Sequence, residues 1–367
     1  MIAAELRSEP LKSTKVHSGH IINNFQNQKQ TILSNMKTAE DVASTLALVL
    51  AGVGEKLGIP NLDPTSGTIF ITGGTGVLGY RVSTRLLRAG YPTVRLGVHH
   101  PEVAEELGKE GAEIADFRWD NDATYEKALH GVKSVFCNAP YVLNWDEKFP
   151  LFLNACKAAG VKHFVKLSFY HSRHPESIFQ SVPLVKAHGE CDQMLVYSGI
   201  PYTILSASHF MSNPLVFQGK ELRADRKPAT LYGSSHGKGV NYVSPNDVAE
   251  AAVRVLLEPK THFDKEYNLT GPCAMTDQVV ASLLSKYLEK PIMYVDQPLH
   301  VFEDGEKFGG DPEWLVHDLV AFEMIKSTGL EEHLFVSHDF EKVCGHKAES
   351  YEGYLDHMEC MSQAEVA

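Results

Sequence analysis

Between residues 68 and 205, short β-rich runs alternate with amphipathic stretches. The runs fall at 68–72, 93–98, 112–115, 134–138, 163–168 and 202–205. Their composition and length predict strands. The intervening stretches 77–89, 104–110, 123–130, 149–159 and 184–197 read as helices. Gly90, Gly131, Gly160 and Gly199 stand at or just past four helix ends, where a left-handed residue stops the chain. Repeated strand–helix units predict an α/β fold, a doubly wound parallel sheet of Rossmann type with helices on both faces. After about residue 208 the rhythm breaks. Two helices remain legible, 246–257 and 276–288, the second with Thr276 as its cap. Upstream, Val42, Leu46, Val49, Val53 and Leu57 form one apolar face of a helix over 38–58. Thr38 and Asp41 form a capping box at its start, and Ile59-Pro60 ends it. Three segments follow from this pattern. Residues 1–66 are an N-terminal extension, 67–207 a nucleotide-binding Rossmann-like domain, and 208–367 a smaller substrate lobe from which helix 246–257 returns to the Rossmann lobe.

Composition narrows the function. The formal net charge of −12 disfavours nucleic acid and an anionic membrane as partners. The apolar run 45–53 is far short of the ~20 residues a membrane span needs. Six scattered cysteines without a C-x-x-C pair argue against a disulfide framework and for a cytoplasmic protein. Residues 1–37 hold only Glu5 and Glu9 as acids, which keeps organelle targeting open. Eighteen histidines show no H-x-x-x-H or H-E-x-x-H spacing, so no metal site is expected. A G-x-S-x-G elbow is also missing.

The chemistry concentrates in TIFITGGTGVLGYRVSTRLLRAG. A strand runs into Gly73, Gly76 and Gly79, and a helix follows. The first glycine permits the sharp turn, the second lets a pyrophosphate approach the backbone, and the third brings helix against strand. Thr75, Val77 and Leu78 complete the turn, and the helix N-terminus directs N–H groups at the phosphates. With the βα context on both sides, this is a dinucleotide site. The tip of the second strand reads Arg95-Leu-Gly-Val-His99-His100. An acid there would bond a ribose 2′-hydroxyl, whereas His99 and His100 suit a 2′-phosphate and favour NADP(H) over NAD.

These stretches, with GAEIADFRWDNDATYEKALHGVKSVF, ACKAAGVKHFVKLS, HGECDQMLVYSGIPYTIL, VSPNDVAEAAVRVL and YNLTGP, make residues 67–350 resemble the NmrA-like group of atypical short-chain dehydrogenase/reductases. The resemblance implies an NADP(H) cleft between a Rossmann-like and a smaller lobe. Some members of the group reduce quinones, dyes or other conjugated small molecules. Others bind the dinucleotide as redox sensors. Further cofactor contacts are implied at Phe117 and Arg118 beside adenine, and at Asn138, Ala139 and Pro140 beside the nicotinamide ribose. Lys166 faces the cleft or is solvated.

Typical short-chain dehydrogenases use a serine, then a tyrosine and a lysine four residues on. Ser168 matches the serine. Leu184 and His188 stand at the tyrosine and lysine positions, so ordinary alcohol–ketone chemistry is in doubt. Ser168, Tyr170 and His188 are the candidates for the reacting centre, His188 as a general acid near neutral pH or as a ribose contact. His209, Phe210 and Asn213 belong to the segment resembling the substrate loop, where Ser206 replaces a usual arginine. The leading expectation is an NADP(H)-dependent oxidoreductase acting on a small conjugated or aromatic molecule. A catalytically silent NADP(H) sensor and a biosynthetic cyclase remain alternatives, and a homodimer or protein partner stays open.

Overall fold

The structure, a computed structural model, describes residues 55–59, 67–141, 144–219, 222, 228–334 and 336–366. The expected capping box and most of the helix 38–58 lie outside them.

Seven parallel strands form the main sheet. In chain order, β1 is Thr68–Thr72, β2 Val94–Val98, β3 Glu113–Asp116, β4 Val132–Cys137, β5 His163–Phe169 and β6 Tyr202–Ala207. Short strands β7 (His209–Phe210), β8 (Ala229–Gly233) and β9 (Gly239–Val243) follow, then β10 (Lys265–Leu269), β11 (Ala274–Thr276) and β12 (Ile292–Asp296). The order across the main sheet is β3-β2-β1-β4-β5-β6-β10. The winding direction therefore reverses between β1 and β4, and the crevice at such a switch point is where open α/β sheets take ligands.

The longer helices are α1 (Val77–Ala89), α2 (Phe149–Ala158), α3 (Pro183–Val196), α4 (Pro245–Leu257), α5 (Asp277–Tyr287), α6 (Leu299–Gly309), α7 (Glu313–Ser327) and α8 (Tyr351–Val366). Side chains alternate across β1. Ile69 and Ile71 face a core shared with Leu86 of α1 and with Val248, Ala252 and Leu256 of α4. Phe70 faces the opposite core with Phe152 of α2 and Leu195 of α3. Both faces are covered, so both must be apolar, as expected of parallel strands. Leu57 and Ile59 pack on the first core, which ties the end of the N-terminal segment to the main body.

The second lobe has its own core. Leu231, Val240 and Tyr242 of its small sheets pack with Leu284 of α5 and with Tyr351 and Tyr354 of α8. The lobe is not one continuous segment. α4 packs on α1, and β10 returns to pair with β6 in the main sheet. β10 had no expected strand. Its sequence, KEYNL, carries charge because an edge strand has one paired side and only partial cover. Helices α6 and α7 also fall where no helix was expected. α7 buries Asp318 and Glu323 alongside Leu315 and Phe322, so its inward face lacks the apolar stripe that marks a helix.

Candidate functional site

β1 ends in a turn made almost wholly of backbone. Gly73 adopts φ 60°, and its carbonyl accepts from the Gly76 amide at 2.9 Å. A Cβ on Gly79 would stand 2.1 Å from the Gly73 carbonyl oxygen. Only glycine lets α1 start this close to the strand it leaves. Gly76 is the N-cap of α1 and supplies no side-chain cap. The first-turn amides of Val77, Leu78 and Gly79 therefore form an open anion cradle at the positive end of the helix. Thr75 and Gly76 are half-buried beside it. Across the switch point, Thr72 Oγ1 donates to the Asn138 carbonyl at 3.0 Å and accepts from the Asn138 amide at 2.8 Å. That exchange locks the ends of β1 and β4 together, with Asn138, Ala139 and Pro140 on the rim.

At the tip of β2, His99 and His100 are exposed, their ring centroids 4.5 Å apart. His100 Nδ1 lies 3.2 Å from Glu102, so an acid stands beside the histidine pair. Arg95 is turned away, paired with Glu113 and donating to the carbonyls of Ala128 and His130. Arg118 is exposed and paired with Asp116. The expectation of a Phe117 contact with adenine is corrected for its side chain. The ring is buried among Phe70, Trp119, Tyr125 and Phe152, because the crowded aromatic core absorbs it.

A cavity of about 330 Å³ opens beside this turn. Val77, Leu78 and Asn138 to Pro140 form one wall, and Phe169, Phe210, Phe217, Phe302 and Phe322 form much of the other. Ser168, Leu184, His188, His209 and Asn213 line it too. His209 is buried, with Nε2 3.2 Å from Glu331. Tyr170 is a correction. β5 ends at Phe169, the chain turns through His171 at φ 61°, and the Ser172 amide donates back to the Phe169 carbonyl. The rotation packs Tyr170 against Phe179, Val182, Val185 and Ile325 rather than into the cavity.

Lys166 is neither solvated nor a wall of the cleft. Its Nζ is fully buried and donates to Asp192 Oδ1 at 2.7 Å and toward His188 Nδ1 at 3.2 Å. The rings of Trp145 and Phe149 lie 5.7 and 5.8 Å from it, which favours the cation. The other Asp192 oxygen accepts from Ser168 Oγ and, at 2.9 Å, from Ser172 Oγ. Burial raises the Asp192 carboxyl, while Lys166 and the two serines pull it back down. Burial, and then Lys166, hold His188 well below the usual histidine range. Both effects work against His188 taking an extra proton, which bears on its expected role as a general acid near neutral pH.

Several lining residues carried no sequence signal. Tyr141 donates to Asp318 Oδ2 at 3.1 Å, and the Leu184 amide reaches Oδ1 of the same carboxylate at 3.3 Å. One buried acid of α7 thus ties the loop after β4 to the start of α3. Tyr141 directly follows the rim residues and could have been found by extending that run. At the far end, Tyr242 donates to Asp277 at 2.8 Å, and Lys326 pairs with Glu323 at 2.6 Å. Burial opposes the Lys326 charge, but Glu323 and Asp277 outweigh it and raise its pKa. Among the described residues no cluster fit to hold a metal occurs, and no helix is long and apolar enough to cross a membrane.

A Rossmann-like sheet with a glycine turn at its switch point and a second lobe over that crevice defines a dinucleotide-binding architecture. Residues 65–356 match the NmrA-like family, and the chain belongs to it. It is similar to the NAD(P)H azoreductase of Xenophilus azovorans, with 31% identity over 247 residues, 67% of this chain and 83% of that protein. Among solved structures it resembles the NADPH-dependent quinone oxidoreductase QOR2 of Escherichia coli complexed with NADPH. The TM-score is 0.68 and the identity 26%, covering 80% of this chain and 100% of that one. The negative transcriptional regulator NmrA in complex with NADP shares the fold, with TM-score 0.63 and 16% identity over 82% of this chain and 97% of that one.

Proposed function

We propose that this chain is an NADP(H)-dependent oxidoreductase acting on a small conjugated or aromatic molecule. One observation carries the reading: a single cavity joins the glycine-turn wall to an aromatic wall. A planar ligand fits between such rings. The anion cradle at Gly73, Thr75, Gly76, Val77, Leu78 and Gly79 would hold the pyrophosphate. His99 and His100 would take the 2′-phosphate, with Arg118 and the Phe117 backbone on the adenine side. Asn138, Ala139 and Pro140 would border the nicotinamide ribose. When bound, NADPH supplies the hydride. The chain's own share is to hold the acceptor flat between Phe210 and its aromatic neighbours, with His209 and Asn213 at the edge and Ser168 and His188 near the reacting end. Relatives named as azoreductase and quinone oxidoreductase support this substrate class.

Screening quinones, azo compounds and enones while following NADPH absorbance tests the reading. Acceptor-dependent oxidation is expected. Tight NADPH binding without turnover on any acceptor would overturn it. The presence of Leu184 and His188 in place of the usual Tyr/Lys pair favours a second reading, a silent NADP(H) sensor whose readout is a protein partner or a second copy. The cytoplasm is the proposed compartment, since Cys137, Cys156, Cys191, Cys273 and Cys344 are free and all but Cys273 are buried.

A further inference from the structure

Hydrogen-bond counting around the buried Lys166–Asp192 pair fixes more than charge. An ammonium carries three donors and no acceptor. Lys166 Nζ faces Asp192 Oδ1 at 2.7 Å, His188 Nδ1 at 3.2 Å, and the Leu167 and His188 carbonyls at 3.4 and 3.5 Å. An N–H on His188 Nδ1 would point at an ammonium 3.2 Å away, so Nδ1 presents its lone pair. A neutral imidazole has a single N–H, so that proton sits on Nε2. The serines obey a matching constraint. Ser168 and Ser172 each have one hydroxyl proton; their Oγ atoms lie 3.1 Å apart and both contact Asp192 Oδ2, a carboxylate paired with Lys166 that only accepts. With its proton directed at Asp192, Ser168 has only lone pairs left for the cavity.

We propose that Lys166 and Asp192 are positioning residues that lock His188 as an Nε2–H donor and Ser168 as an acceptor on the cavity wall. The serine is thereby inverted relative to one that donates to a ligand oxygen. The ligand atom that matches His188 is an acceptor oxygen, on the acceptor molecule or on the carboxamide or ribose of the cofactor. This ligand assignment rests on the proposed oxidoreductase reading, whereas the tautomer assignment does not.

The first test needs no turnover. Nitrogen-15 NMR of the imidazoles, with His188→Gln assigning the signal, is expected to show His188 at pH 7 as one neutral tautomer protonated on Nε2. A ring protonated on Nδ1, or on both nitrogens, would overturn the proposal. Lys166→Met alone strands a buried carboxylate and risks misfolding, so Lys166→Met/Asp192→Leu is the companion variant. Removing both charges together preserves folding more readily. In it, His188 is expected to become a tautomer mixture; an unchanged single tautomer would count against Lys166 as its cause.

The second test reads the ligand. His188→Leu is expected to weaken one step roughly tenfold, the scale of one lost hydrogen bond, with partial rescue in His188→Gln. Loss in the NADPH Kd assigns the cofactor; loss in kcat/KM for a quinone at unchanged NADPH Kd assigns the acceptor. No change in either would overturn the donor role. If no acceptor is turned over, the NMR and NADPH-binding results still stand, and only the oxidoreductase reading falls.

Discussion

The two walls of the cavity are built by opposite means. The glycine turn is main chain, set by residues within one short segment and by the Thr72–Asn138 exchange. The opposite wall is side chain, gathered from β5, α3, α5, α6 and α7. A backbone cradle can grip a phosphate whatever else the ligand carries, because every residue but proline brings the same N–H. A side-chain wall can be rewritten residue by residue without breaking the turn. The same cofactor grip can therefore serve different acceptors, and the far wall is the place to look for specificity.

The largest effect is expected at the buried Lys166–Asp192 pair. Lys166→Met should cost about 3–5 kcal/mol in denaturant unfolding, the range for stranding one buried charge. A loss below about 1 kcal/mol would mean that Asp192 takes up a proton cheaply in the variant. Next is the backbone wall. Gly79→Ala forces a Cβ into the Gly73 carbonyl, and NADPH affinity by fluorescence titration should fall roughly 100-fold through displacement of the turn amides. Unchanged affinity would remove that turn from the site. Phe322→Ala opens the aromatic wall. It should reduce kcat/KM for aromatic acceptors by roughly tenfold while leaving the NADPH Kd within about twofold, since Phe322 packs on Phe169 and His209.

Proton dependence separates the frame from the site. Burial lowers His163 to about 3 and His262 to about 4, while the unfolded side chains titrate near the ordinary histidine value of about 6.5. The unfolded state thus binds more protons between those values, and stability should be full above about pH 6.5 and fall as pH drops toward 4. Asp247, raised to about 7 mainly by burial, acts in the opposite direction across that window. Four lowered histidines, His163, His171, His188 and His262, stand against three raised carboxyls, Asp192, Asp247 and Asp318, which leaves the net slope toward lower stability in acid. Urea midpoints at several pH values would show it, and a midpoint that rises on acidification would contradict it. The smallest effect is expected at the β2 tip. His99→Ala should weaken NADPH by a few fold at low salt and less at high salt, because the group is exposed and screened. A larger loss for NADH than for NADPH would overturn the 2′-phosphate assignment.

The six βα strands and the glycine turn were readable because their signals are local. Strand composition, helix periodicity and glycine spacing each lie within one segment. Ser168, Leu184 and His188 were readable by position as well, and all three line the cavity. Their chemical states were not. Lys166 and Asp192 stand 26 positions apart, and no spacing rule links a strand residue to the helix that will cover it. Tyr170 misled for the same reason: its place depended on where β5 ended, and that is decided by the turn after Phe169.

The chain's order of residues by itself determined the parallel sheet, the dinucleotide turn and the absence of the usual Tyr/Lys pair, because each is a property of neighbours in sequence. Only the tertiary structure decided that β10 closes the sheet edge and that α7 brings Leu319, Phe322, Glu323 and Lys326 to the cavity. Only it decided that a buried lysine and aspartate set the protons of His188 and Ser168. Those properties depend on desolvation and on partners distant along the chain, and they come into being when the surfaces meet.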